Sequence, residues 1–219
     1  MQPTYVTKSL AVASSTAVGS ISTAANGTVT LSCALLDTAR RITVTSASLS
    51  GPVFTIFGLN ETLNPISETI TPSTTVGSAA TTTQDFIKVT AVTLSCAITN
   101  SSGGFLIGTN TQGGTSWRPV DTFRDPINLG FDINVTSPST VVLASLEYSM
   151  DYPEYNPNTR LWGGATPTQG PRAVISSLGS SVTADTIGSI TIPFAAWRLT
   201  ITSTSSAAGS VIASVIQAG

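Results

Sequence analysis

The stretch 39-ARRITVTSASLSGPVFTIFG-58 decides the fold class. Ile42 and Val44 alternate with Arg41, Thr43 and Thr45, the period-2 pattern of a strand with one face buried. The segment 46-SASLSG-51 carries turn chemistry, and Val53 or Phe54 opens a second apolar run. Together they read as a β-hairpin. Two adjacent arginines open the first strand in a chain that has only nine basic residues. Neighbours on a strand point to opposite faces, so one of Arg40 and Arg41 meets solvent. The other lies at the rim, where its stem covers apolar surface and its head meets water or a carboxylate. Asp37 is the candidate carboxylate, in a surface pair contributing at most ~1 kcal/mol. The pair either frames the strand or touches a neighbouring subunit.

The same pattern recurs along the chain. Residues 28–35 alternate, 66-ISETIT-71 reads as a third strand, and 84-QDFIKVTAVTLSCAIT-99 exceeds the usual strand length. In that long run Ile87, Val89 and Ala91 share one face and Val92, Leu94 and Cys96 the other. Such a one-residue slip marks a β-bulge or a break. Further on, Ile127, Leu129, Phe131, Ile133 and Val135 lie on one face of a strand. Leu146, Tyr148 and Met150 lie on one face of another, and Trp197, Leu199 and Ile201 on one face of a third. The segment 210-SVIASVIQ-217 is apolar on both faces, as an inner or an intersubunit strand would be. Helix-period runs are almost absent.

The stretch 100-NSSGGFLIGTNTQGGTS-116 holds five glycines and reads as a linker with a boundary near residue 112. The expected fold is therefore all-β, with two tandem antiparallel β-sandwiches of jelly-roll or Ig-like type. Residues 1–25 form an N-terminal arm, 26–111 the first sandwich and 112–219 the second. Proteolysis is expected first in the linker. The segment 151-DYPEYNPNTRLWGGATPTQGPR-172 contains four prolines and three aromatics and reads as a long ordered loop.

Composition narrows the function. Charged residues make up 9% of the chain, against roughly 25% in ordinary globular proteins. A net charge of −2 gives no basic field for nucleic acid. A surface so poor in charge fits one covered by other subunits. The opening 1-MQPTYVTKSLAVASSTAVGS-20 lacks a sustained apolar core, and no run approaches the ~20 residues of a membrane helix. Cytoplasmic synthesis and no membrane partner are the expectation. Cys33 and Cys96 each extend an apolar face and are expected to be buried free thiols.

With no histidine, Ser-His-Asp and Cys-His catalysis are excluded. The carboxylate pairs Asp121 with Asp125 and Asp151 with Glu154 sit beside prolines and arginines and read as salt-bridged or turn-forming. No metal-ligand spacing and no nucleotide motif is present, so no catalytic residue, metal site or cofactor is expected. Trp117, Trp162, Trp197, Tyr152 and Tyr155 offer a sugar-stacking platform as the rival reading, with Trp197 assigned to the core.

The strands "LDTARRITVTSASLSGPVFTIFG", "ISETIT", "TTTQDFIKVTAVTLS" and "FLIGTN", followed by "SWRPVDTFRDPINLGFDINV", "VVLASLEYSMDYP" and "AAWRLTITS…SVIASVIQAG", resemble β-rich virion proteins of short-tailed and other tailed bacteriophages. The likeness spans roughly residues 26–219 and lies in strand patterns, without catalytic signatures. It implies a non-enzymatic virion structural protein, first of all a capsid decoration or cementing protein. The alternatives are a neck or tail accessory protein, such as a fibre adaptor or collar, and a glycan- or receptor-binding module. The implied partners are further copies of the chain and other virion proteins, either the major capsid protein or neck and tail proteins. Candidate subunit contacts are Tyr152, Tyr155, Arg160 and Trp162 in the proline-rich loop, together with Arg40 and Arg41.

Overall fold

The computed structural model describes residues 4–11, 13–21, 27–29, 31, 35–46, 52–96, 104–121, 128–135, 142–149, 155–156, 161–162, 173–174, 183–191, 194–203 and 209–218. Every regular element among them is a strand. In chain order these are β1 (Thr4–Leu10), β2 (Gly19–Ile21), β3 (Gly27–Val29), β4 (Leu35–Ser46), β5 (Phe54–Leu59), β6 (Pro65–Ile70), β7 (Ala79–Thr81), β8 (Phe86–Leu94) and β9 (Phe105–Gly114). There follow β10 (Arg118–Pro119), β11 (Asn128–Val135), β12 (Val142–Ser149), β13 (Tyr155–Asn156), β14 (Leu161–Trp162), β15 (Ala173–Val174), β16 (Thr186–Ile190), β17 (Ala196–Ser203) and β18 (Gly209–Ala218). Every strand pair whose register is defined is antiparallel.

The chain divides into two compact units, Ala13–Thr111 and Met1–Val12 with Gln112–Gly219. In the first, the strands run β9-β4-β8-β5-β6, with β2 beside β9, β3 beside β8 and β7 beside β4. Its core gathers Ile42 and Val44 from β4, Phe54 and Ile56 from β5, and Phe86, Val89, Val92 and Leu94 from β8. Phe105 and Ile107 from β9 complete it, together with Val18, Ile21 and Ile70. The Phe54 and Phe105 rings meet tilted at 5.1 Å. Each fully buried side chain of this size contributes about 1.5–3 kcal/mol.

The expected hairpin between residues 39 and 58 is not formed. β8 lies between β4 and β5, and β5 instead pairs with β6 from Phe54↔Ile70 to Leu59↔Pro65. Both β4 and β5 run antiparallel to β8 and so parallel to one another, an orientation that a hairpin cannot give. The one-residue slip in the long strand is real. Phe57 opposes Ala91 while Gly58 opposes Val89, so Thr90 is the extra residue of a bulge. It brings Val89 onto the same buried side as Val92 and Leu94.

Cys96 is exposed rather than buried. β8 ends at Leu94, and Ser95 closes it by donating its N–H to the Val53 carbonyl at 3.0 Å while its hydroxyl accepts from the Val53 N–H at 2.9 Å. The alternation therefore stops before residue 96. Cys33 lies outside the described residues.

In the second unit β1-β18-β11-β16 form one sheet and β15-β12-β17 another, with β10 and the last residues of β9 beside β17. Leu129, Phe131, Ile133 and Val135 of β11 and Val211, Ala213 and Val215 of β18 share one core with Ala144 and Leu146 of β12. Trp197, Leu199 and Ile201 of β17 belong to the same core. These are the alternating residues the sequence places on one face. Met150 and Ile127 lie outside the described residues. β18 is an inner strand, flanked by β1 and β11. Residues 4–10, assigned from the sequence to an N-terminal arm, are a strand on the edge of this sheet.

The described part of the glycine-rich stretch is mostly strand rather than loop. Residues 105–114 are the strand β9, and the boundary between the units falls inside it. Glycine does not weaken the strand here because backbone partners lie at both ends: Phe105–Ile107 pair with β2, and Gln112–Gly114 pair with β17. Thr115 extends the second ladder, its N–H donating to the Leu199 carbonyl at 2.9 Å and its hydroxyl accepting from the Leu199 N–H at 3.0 Å.

Candidate interaction surfaces

Arg40 does not lie on the surface. It shares the side of β4 that carries Ile42 and Val44, and its side chain is 1% exposed. Its Nη2 donates to Asp37 Oδ2 at 2.7 Å and its Nη1 to the Asn110 carbonyl at 3.4 Å. Asp37 is thus the partner, in a pair buried on the arginine side rather than a surface pair. Arg41 points the other way, with its side chain 35% exposed and its Nε 3.9 Å from Asp85 Oδ1. The adjacent arginines therefore divide as a period-2 strand requires, one inside and one out.

In the proline-rich segment β13 and β14 pair, with Tyr155 opposite Trp162 and Asn156 opposite Leu161. The segment read as loop alone thus contains a short antiparallel ladder, and the sequence between its strands, 157-PNTR-160, suits a turn. Tyr152 and Arg160 lie outside the described residues, as do the side chains of Tyr155 and Trp162.

A cluster that the sequence did not disclose sits in the second unit, on the face of β17 opposite its core. Arg198 and Glu147 are directly opposed across β17 and β12. Arg198 Nε donates to Glu147 Oε2 at 2.6 Å, and the guanidinium lies 4.9 Å from the centre of the Trp117 ring. Both charged side chains are largely buried, at 9% and 17% exposure. Trp117, named as a sugar-stacking candidate, is itself buried, so its ring serves the arginine rather than an open platform. The alternation of 196-AWRLTITS-203 places Arg198 away from Leu199, but nothing local names Glu147 as its partner.

Asp121 is exposed and is tied through its backbone: its N–H donates to Gln217 Oε1 at 3.0 Å, and Gln217 Nε2 donates to its carbonyl at 2.6 Å. Asp125, Asp151 and Glu154 lie outside the described residues. Among the described residues no group of three or more His, Cys, Asp or Glu is placed to hold a metal ion.

The tip between β5 and β6 presents an unusual residue. Asn60 Oδ1 accepts from the Thr62 N–H, the Thr62 hydroxyl and the Asn64 N–H at 3.0, 2.8 and 2.9 Å. This holds Leu63 in the left-handed region, φ 63°, with its side chain 60% exposed. A branched apolar residue is disfavoured there, whereas asparagine tolerates it. Leu63→Asn should therefore stabilise the protein by about 1 kcal/mol. Thermal unfolding checks this, and a lower melting temperature would mean that the leucine side chain contributes contacts outweighing its backbone cost.

No family model matches this chain, and no curated protein matches it. A solved structure with some likeness is that of the infectious bursal disease virus Gt strain, 10% identical over 99% of this chain and 73% of that one, with a TM-score of 0.20. Similarity at that level carries no argument about fold or function.

Proposed function

We propose that this chain is a non-enzymatic bacteriophage virion structural protein built as two tandem antiparallel β-sandwiches. Its first role is to decorate or cement the capsid as an oligomer. One observation supports this above others: several of the few charges are taken up by partners within their own unit. Arg40 is taken by Asp37 and Arg198 by Glu147. Glu68 accepts from the Thr83 and Gln84 N–H groups at 2.7 and 2.9 Å, and Asp185 from the Val135 N–H at 3.0 Å. What remains for the surface is mostly hydroxyl and apolar, as suits one covered by neighbours. The resemblance of the strand patterns to tailed-phage virion proteins points the same way. A neck or tail accessory role is the second reading, and copy number separates the two: hundreds per particle for decoration, a small multiple of six for a neck or tail ring. Assembly takes place after synthesis in the host cytoplasm.

The segment 151–172 is the proposed contact with another virion protein. Its prolines reduce the entropy lost on ordering, and Tyr152, Tyr155, Trp162 and Arg160 are residue types enriched at interface hot spots. Trp162→Ala should weaken incorporation into particles by about 2 kcal/mol, some 30-fold in affinity, with unchanged thermal unfolding. A lowered melting temperature with full incorporation would show instead that Trp162 packs on its own unit.

A further inference from the structure

The strand edges of this protein are not equally guarded. A sheet edge offers unpaired N–H and C=O groups, and natural proteins block it with charge, proline, short length or a covering loop. At β6 the Ser67 carbonyl accepts from Gln84 Nε2 at 3.1 Å, and the Glu68 carboxylate anchors the loop that supplies this cover. β1 follows Pro3 and contains Lys8, while β15 has two residues. Among the described residues, β16 has none of these devices. Its sequence, TIGSI, carries no charge and no proline, and among the described residues it pairs on one side only, with β11.

The strand is also held ready. Asp185, just before it, accepts from Asn134 Nδ2 at 3.2 Å and from the Val135 N–H at 3.0 Å, which pins its start to β11 and turns that carboxylate away from the edge. Gly188 lies over the Phe131 ring so closely that a Cβ would stand 2.3 Å from a ring carbon. Ile187, by contrast, is 83% exposed, the most exposed large apolar residue described. A rigid, neutral edge with one bared isoleucine loses little freedom on pairing.

We propose that β16 pairs antiparallel with β16 of a second copy of this chain, about a two-fold axis at Ile187. Ile187 then opposes its own copy, and Thr186 opposes the partner's Gly188, so both isoleucines are covered and the sheet continues across the axis. Self-pairing meets no charge penalty. Asp132, opposite Ile187 on β11, is exposed, but in the order β11-β16-β16-β11 it stands about 14 Å from its copy, beyond the Debye length in physiological salt. A partner segment carrying charge would lack any counter-charge on this edge, which favours a second copy.

Sedimentation velocity over a concentration series tests this on the full chain, with Ile187→Lys, Ser189→Lys and, as a control at an exposed residue of the other unit, Leu63→Lys. The wild type and Leu63→Lys should dimerise with the same dissociation constant, and Ile187→Lys should raise it at least tenfold with unchanged circular dichroism and melting temperature. If Ile187→Lys disturbs folding, Ser189→Lys decides, since residue 189 is exposed on the same strand. A wild type that stays monomeric to about 1 mM, the weak limit of useful association, overturns the proposal, as does a dimer indifferent to both edge lysines. The inference does not rest on a virion role: the dimer can fail while Trp162 still governs incorporation, and the reverse.

Discussion

Gly108→Ala should cost the unit Ala13–Thr111 about 3 kcal/mol, a fall of roughly 15 °C in its melting temperature. The turn at Ser14–Val18 lies directly on β9. Thr109 N–H donates to the Ser14 carbonyl at 2.9 Å, and Val18 N–H donates to the Ile107 carbonyl at 3.0 Å. A Cβ on residue 108 would stand 2.1 Å from the Ser14 oxygen and 2.4 and 2.6 Å from Ser15 backbone carbons. These are main-chain atoms, so no rotamer change relieves the clash. The turn must lift and lose its hydrogen bonds to β9, and Val18 and Ile21, both in the core, follow it. Gly130→Ala is the comparison, because the nearest atom to its Cβ is 4.0 Å away. That variant should unfold within about 1 kcal/mol of the wild type. Equal melting temperatures for the two variants would show that the turn does not rest on β9 in solution.

Arg198→Ala and Glu147→Ala should each destabilise the other unit by about 3 kcal/mol, and the double variant by clearly less than the sum. A pair at 2.6 Å with both side chains largely buried has exchanged much of its hydration for a strong charge-assisted contact. Removing one member leaves the other charge buried without its counter-charge. Trp117 deepens the asymmetry, because its ring excludes water from the guanidinium and offers its π-face in return. Replacing both charged residues with leucine should recover much of the loss, since the site is a packed layer between strands rather than an open surface. The effect should change little with salt, as screening reaches buried pairs weakly. Chemical denaturation of the four proteins gives the coupling directly, and strict additivity would mean that the contact contributes nothing to stability.

The alternation read from single strands carried far, because a strand with one buried face must place its apolar residues at every second position wherever it sits. Leu129, Phe131, Ile133 and Val135, and likewise Trp197, Leu199 and Ile201, could be assigned inward without any partner being known. The bulge in β8 was legible for the same reason: a slip in period leaves a local mark. Asp37 was legible as the partner of Arg40 because it lies three residues away, within reach along one strand. Composition misled at β9, where glycines that usually break structure accept a strand because backbone partners lie on both stretches of it. Alternation misled at Cys96 because a strand's end is set by what caps it, here Ser95 and Val53.

The sequence by itself determined that this protein is all-β, which residues of β11 and β17 face inward, and that it holds no histidine. Those properties follow from side-chain identity and a two-residue period. Tertiary structure alone decided which strands are neighbours. β8 between β4 and β5, Glu147 under Arg198 across 51 positions, and the place of β16 at the edge of its described sheet all depend on pairings between distant segments. Backbone hydrogen bonds in a ladder are nearly the same whatever the side chains, so strand order is set by how whole faces pack and how far each connection can reach, which no single stretch of chain contains.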